Sequence, residues 1–154
     1  MRKITIIFML IVCAAAADEA LGCLCVGESN MTPEKIRAER VEAFEKAASV
    51  FSGEVVMLDR FTVKFRVERI WKGPVTKEIT MLTGAKDNGD GTFTTSSCDY
   101  RFTKGERYLV WAYGFPAGLK TDTCSRTAKM KDAAKEEQGL DEITPHQVVG
   151  KEPM

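Results

Sequence analysis

Histidine is almost missing from this chain of 154 residues: His146 stands alone, close to the C-terminal end. With its one imidazole in a tail, neither a Ser-His-Asp arrangement nor a multi-histidine metal site can be built convincingly. Net charge is missing as well. The 22 Lys plus Arg balance 22 Asp plus Glu, which leaves no electrostatic case for nucleic acid or an anionic membrane as partner. There is no glycine loop of the phosphate-cradling kind, no internal repeat and no low-complexity tract. The expectation is a protein that is not an enzyme and carries no cofactor of its own.

An apolar run long enough to cross a bilayer is also lacking. The longest, Ile4 to Ala17, falls short of the roughly 20 residues a spanning helix needs. Preceded by Arg2 and Lys3, it has the layout of a secretory signal peptide. Cleavage after Gly22 is expected, with Ala20 and Gly22 as the small residues; cleavage after Ala17 is the alternative. Lipid attachment at Cys23 is a third outcome, although "ALGC" has Ala20 where a lipoprotein box has Leu. Removing residues 1–22 leaves 132, with 20 charges of each sign, enough for one domain with a core. The expected location is secreted or extracellular, or the periplasm or cell surface if the source is bacterial.

Of five cysteines, Cys13 leaves with the signal and Cys23, Cys25, Cys98 and Cys124 remain, so there is no exported odd thiol to act as a nucleophile. An even count in an oxidising compartment implies two disulfides. Cys23 and Cys25 have one residue between them and would close a strained ring, so each is expected to reach a distant partner, one Cys98 and the other Cys124. Loops of about 75 to 100 residues would each restrict the unfolded chain by roughly 4 to 5 kcal/mol in the entropic model. A zinc site is the competing pattern, but Cys-x-Cys with two far-off cysteines is not a usual ligand spacing.

Thr32 as N-cap, Pro33 at the first helical position and Glu34 in the first turn predict a helix over 33–48, with Ile36, Val41, Ala43, Phe44, Ala47 and Ala48 near one stripe. The period then changes to two. "VFSGEVVML" and "FTVKFRVERIW", linked by Asp59 and Arg60, predict a hairpin; 77–83 predicts a third strand and "GERYLVWAY" at 105–113 a central one. Between them lies a polar excursion ending at Cys98, whose "DNGDG" at 87–91 fits a flexible hairpin tip rather than a calcium loop. Residues 129–139 look helical and the tail from Thr144 loose. Trp71, Trp111 and Tyr113 are expected in the core, and Asn30-Met31-Thr32 is a glycosylation sequon in form. Short strands with a packed helix and no strand-helix alternation argue for a small closed or nearly closed barrel.

In order and spacing, "CLCVGE", "VFSGEV", "FRVERIWKG", a Cys-terminated loop, "GERYLVWAY" and "CSRT" resemble the tissue inhibitors of metalloproteinases and the wider netrin-like modules, in their short single-domain form, over residues 23–127. Residues 128–154 would add a C-terminal helix and tail. The resemblance implies a mainly β fold, a five-stranded OB-type barrel with flanking α-helices, and two disulfides, Cys23 to Cys98 and Cys25 to Cys124. It further implies an inhibitory wedge of Cys23, Leu24, Cys25, Val26, Ser96, Ser97 and Cys98. There the α-amino and carbonyl groups of Cys23 would bind the catalytic zinc of a secreted metalloproteinase, and Leu24 would enter its specificity pocket; the zinc belongs to the target. The inhibitor would act as a monomer. The alternative is a non-inhibitory netrin-like module that binds protein at the cell surface or envelope, with Cys23 lipidated in one version.

Overall fold

The computed structural model describes residues 22, 23, 25, 31–115 and 118–149. The expected signal segment through residue 21, its cleavage point at Ala17, Leu24, Val26, Asn30 and the last residues, 150–154, lie outside the described residues.

Helix α1 spans Pro33–Lys46, and Thr32 Oγ1 caps it by accepting the Lys35 N–H at 3.3 Å. It stops two residues short of the expected end because Ala47 turns extended and buries itself under the sheet. Lys72 Nζ donates to the free carbonyls of Phe44 and Glu45, at 2.6 and 2.8 Å, which satisfies acceptors that the helix end leaves open. No residue within α1 is fully buried; Ala43 and Phe44 make its contact with the core.

The strands are β1 (Ser49–Leu58), β2 (Thr62–Lys72), β3 (Glu78–Leu82), β4 (Lys86–Asp87), β5 (Phe93–Thr94), β6 (Arg107–Ala112), β7 (Ala128–Lys129) and β8 (Gln147–Val148). A 3-10 turn at Met130–Asp132 leads into helix α2, Ala134–Asp141. The main sheet is antiparallel in the order β3-β2-β1-β6-β7, so β1, rather than the expected β6, lies in the middle. Asp59 closes the β1–β2 hairpin, its Oδ1 accepting the N–H groups of Phe61 and Thr62 at 2.8 and 2.7 Å. At Gly53 a Cβ would sit 2.6 Å from the Arg66 carbonyl oxygen, so this glycine lets β1 and β2 approach closely at a register shift.

Both faces of the sheet are covered, which explains the continuous apolar run in β6. Phe51, Val55, Phe65, Met81, Tyr108 and Val110 fill the inner face, where Phe51, Phe65, Phe102 and Tyr108 meet edge to face at 5.0–5.3 Å. Val50, Trp71, Leu109 and Trp111 fill the other, beneath Ala47, Ala133 and Leu140. Trp71 and Trp111 are therefore core residues, and Tyr113 packs against the same cluster.

Among the described residues the fold is mainly β, with two α-helices and two disulfides. Among the described residues β3 and β7 do not pair to complete a barrel; β3 instead meets the chain after β6, where the Leu82 N–H donates to the Leu119 carbonyl at 2.8 Å. The tail differs from expectation through Val149. β8 pairs with the half of β2 that β3 leaves open, and Val149 donates its N–H to the Glu68 carbonyl at 2.8 Å. Asp141 holds this strap: its Oδ1 accepts the Trp71 indole N–H at 2.7 Å and lies 2.9 Å from His146 Nδ1.

Candidate functional site

Two loops at one end of the sheet receive the N-terminal cysteines. Cys23 is bonded to Cys98 and Cys25 to Cys124, with Cα–Cα distances of 5.1 Å in each pair. This is the pairing the resemblance implies.

Each receiving loop is built by an aspartate. In the first, the Asp99 carboxylate accepts the Ser96 N–H at 2.6 Å and Ser96 Oγ accepts the Cys98 N–H at 3.1 Å, a compact turn that fixes Cys98. Gly84, at φ +94°, makes room for it, since a Cβ there would lie 2.2 Å from Asp99 Oδ1. In the second, Asp122 Oδ1 accepts the N–H groups of Cys124 and Ser125 at 2.9 and 2.7 Å. The loops are joined directly, as Thr123 donates its N–H to the Cys98 carbonyl at 2.9 Å. Beneath the second loop a chain of hydroxyls runs from Ser125 to Thr121 (2.7 Å) to Thr127 (2.8 Å), and Thr127 Oγ1 accepts the buried Trp111 N–H at 2.9 Å. Cys124 is thereby referred to the core.

At the surface of this assembly Cys23 and Cys98 are half-buried, while Cys25, Ser96, Ser97 and Cys124 are exposed. The disulfides nearly touch, with Cys23 Sγ 3.5 Å from Cys124 Sγ. The sulfurs of Cys23, Cys25 and Cys124 all lie within 4.8 Å of one another, a distance compatible with a shared metal only if they were thiolates; as disulfides they offer no such ligands. Beside Cys25 and Cys124 lies a cavity of about 730 Å³, lined also by Tyr113, Arg126 and Glu136. Burial, and then the Asp122 charge, push the Tyr113 phenol above its ordinary value, so it stays neutral at physiological pH. Arg126 and Arg40 converge on Glu136 Oε2, at 3.3 and 3.1 Å, and tie α2 to α1 under this cavity.

"DNGDG" forms the β4–β5 tip, where the Asp87 and Asp90 carboxylates accept the Gly89 and Thr92 N–H groups at 2.8 and 2.9 Å. These bonds brace the turn. The aspartate clamps at 99 and 122 and the hydroxyl chain were not foreseen from sequence. The "Asp-x-Cys" spacing before Cys124 was the one signal, since an aspartate two residues before an N–H is placed to accept from it.

Compared with known proteins, the chain matches no family model and no curated sequence. Among the described residues no helix is long and apolar enough to cross a membrane.

Proposed function

We propose that the chain is a metalloproteinase-inhibitor-like protein of the single-domain netrin type, built on an OB-like sheet, whose exported N-terminus at Cys23 chelates the catalytic zinc of a target metalloendopeptidase. One observation carries this: both cysteines of Cys-x-Cys are anchored to two loops that are hydrogen-bonded to each other, with Ser96 and Ser97 exposed alongside. A terminus held in this way loses little conformational freedom on binding, which favours affinity from a short segment. The α-amino nitrogen and carbonyl oxygen of Cys23 would replace the water at the open position of a catalytic zinc. Leu24 would fill the adjoining pocket.

The amine must be unprotonated to bind metal. With an α-amino pKa of about 7.7 to 8.0 in peptides, inhibition weakens as pH falls, although the zinc itself favours the free base. The test compares protein beginning at Cys23 with protein carrying one alanine before it, against a panel of secreted zinc metalloproteinases. The extension removes the primary amine from the metal and should abolish inhibition. Equal inhibition by the two forms rules the chelation mechanism out.

A further inference from the structure

The β4–β5 hairpin carries the chain's one Asn-Gly step, Asn88-Gly89, which the zinc-directed proposal leaves without a role. An asparagine side chain lies next to the backbone nitrogen that follows it, so Asn88 Cγ and the Gly89 nitrogen can close a cyclic succinimide. A following glycine lacks the Cβ that hinders this approach. Gly89 lies at φ +81°, and among the described residues a Cβ there would meet nothing within 4 Å beyond its chain neighbours. Residues 86–95 are all exposed, so water reaches the step.

Both reacting groups are held by hydrogen bonds that suit the reaction. The Gly89 N–H donates to Asp87 Oδ1 at 2.8 Å, so a carboxylate stands ready to receive its proton. The nitrogen attacks with the π electrons above its peptide plane, and an in-plane N–H bond does not obstruct them. Thr92 Oγ1 gives its only hydrogen to Asp90 Oδ1 at 2.6 Å and can therefore only accept from Asn88. That orients the side-chain amide: Nδ2 donates to Thr92 Oγ1 at 2.8 Å, and Oδ1 accepts from the Thr94 hydroxyl at 3.1 Å. The Thr94 hydroxyl thus sits where negative charge develops as Cγ is attacked.

We propose that Asn88 is a site of spontaneous deamidation, with Asp87 as proton acceptor and the Thr94 hydroxyl as donor to the developing oxyanion. The bond from the Gly89 nitrogen to Asn88 Cγ forms and the Cγ–Nδ2 bond breaks; the proton lost by Gly89 passes through Asp87 to Nδ2, which leaves as ammonia. Water then opens the succinimide at either carbonyl, giving aspartate or isoaspartate at position 88 with no change of oxidation state. Either product loses the donor to Thr92 and adds a negative charge beside Asp87 and Asp90; isoaspartate also lengthens the main chain between β4 and β5. The neighbouring Asp90-Gly91 step does not share this course. Bonds from the Thr92 hydroxyl and N–H hold the Asp90 carboxyl below its usual range, and an ionised carboxylate is a poor electrophile. The site is independent of the Cys23 amine and stands whether or not the chain inhibits a protease.

The test incubates the folded, disulfide-bonded protein in heavy-oxygen water at neutral pH and maps its peptides by mass spectrometry, with isoaspartate scored by electron-transfer fragmentation. Asn88 should be lost progressively to products that carry heavy oxygen, isoaspartate among them, while Asn30, which precedes methionine, and Asp90 stay unchanged. Asp87→Asn and Thr94→Val should each slow the loss about tenfold or more, with the NMR amide spectrum away from the hairpin unchanged. Should Asp87→Asn disturb the hairpin, Thr94→Val, which leaves Asp87 in place, carries the comparison. An Asn88 that persists as long as Asn30, products without heavy oxygen, or loss as fast in a folded variant as in the wild type would overturn the proposal.

Discussion

Removing one disulfide at a time gives a quantitative test of how the N-terminus is held. Taken alone, the bridges close loops with separations of 75 and 99 residues, which the chain-entropy relation values at about 4.5 and 4.7 kcal/mol. They are not independent. With Cys23–Cys98 intact, the chain already runs from Cys25 through Cys23 across to Cys98 and on to Cys124, so the second bridge closes only roughly 28 residues and contributes about 3.6 kcal/mol. The same short circuit is left when Cys25–Cys124 is the one retained. C25A/C124A and C23A/C98A should therefore lose equal stability, about 3.6 kcal/mol each, while the variant without all four cysteines loses about 8. Since domains are stable by about 5 to 15 kcal/mol, the quadruple variant should be close to unfolded at room temperature. Urea unfolding followed by tryptophan fluorescence reads these differences, with Trp71 and Trp111 both in the core. A loss below about 1 kcal/mol in either paired variant, or losses that scale with the separate loops, would refute the shared-circuit argument. Paired substitutions are essential. C25A alone leaves a Cys124 thiol 3.5 Å from Cys23 Sγ, where its thiolate can attack, form Cys23–Cys124 and release Cys98 as the leaving thiolate. Peptide mapping of C25A should find that rearranged bridge.

Three further outcomes follow from the core and the strap. Gly53→Ala should destabilise by about 1 to 3 kcal/mol or more, because the new Cβ meets backbone at 2.6 Å rather than a side chain that can move; chemical unfolding reads it, and a neutral result would mean the strands separate freely. Thr127→Val should cost about 1 to 3 kcal/mol by leaving the buried Trp111 N–H and the Thr121 hydroxyl short of a partner, and should speed reduction of Cys25–Cys124 by loosening its loop; unchanged stability and reduction rate would contradict the anchoring role given to the hydroxyl chain. For Asp141, burial alone would raise the carboxyl pKa, but the hydrogen bonds from His146 and Trp71 outweigh it and the net direction is down. Its contribution is therefore present above the unfolded carboxylate value, near 3.9, and lost as pH falls through the lower folded value. Wild type should exceed Asp141→Asn in stability near pH 6, with the gap closing in acid; a gap independent of pH would place the effect elsewhere.

Local sequence determined much of this protein. Thr32 and Pro33 start α1, alternation marks β1 and β2, and Asp59-Arg60 marks their hairpin, because each signal acts over a few residues through caps, pleat and turn chemistry. The cysteine count and the crowding of Cys23 against Cys25 already demanded long-range bridges. Tertiary structure alone decided which strand lies in the middle, that the tail returns as β8 to cover the free half of β2, and that aspartates 99 and 122 shape the two receiving loops. Such features depend on partners far along the chain, and a side chain's spacing from its neighbours carries no record of which distant backbone group it will meet.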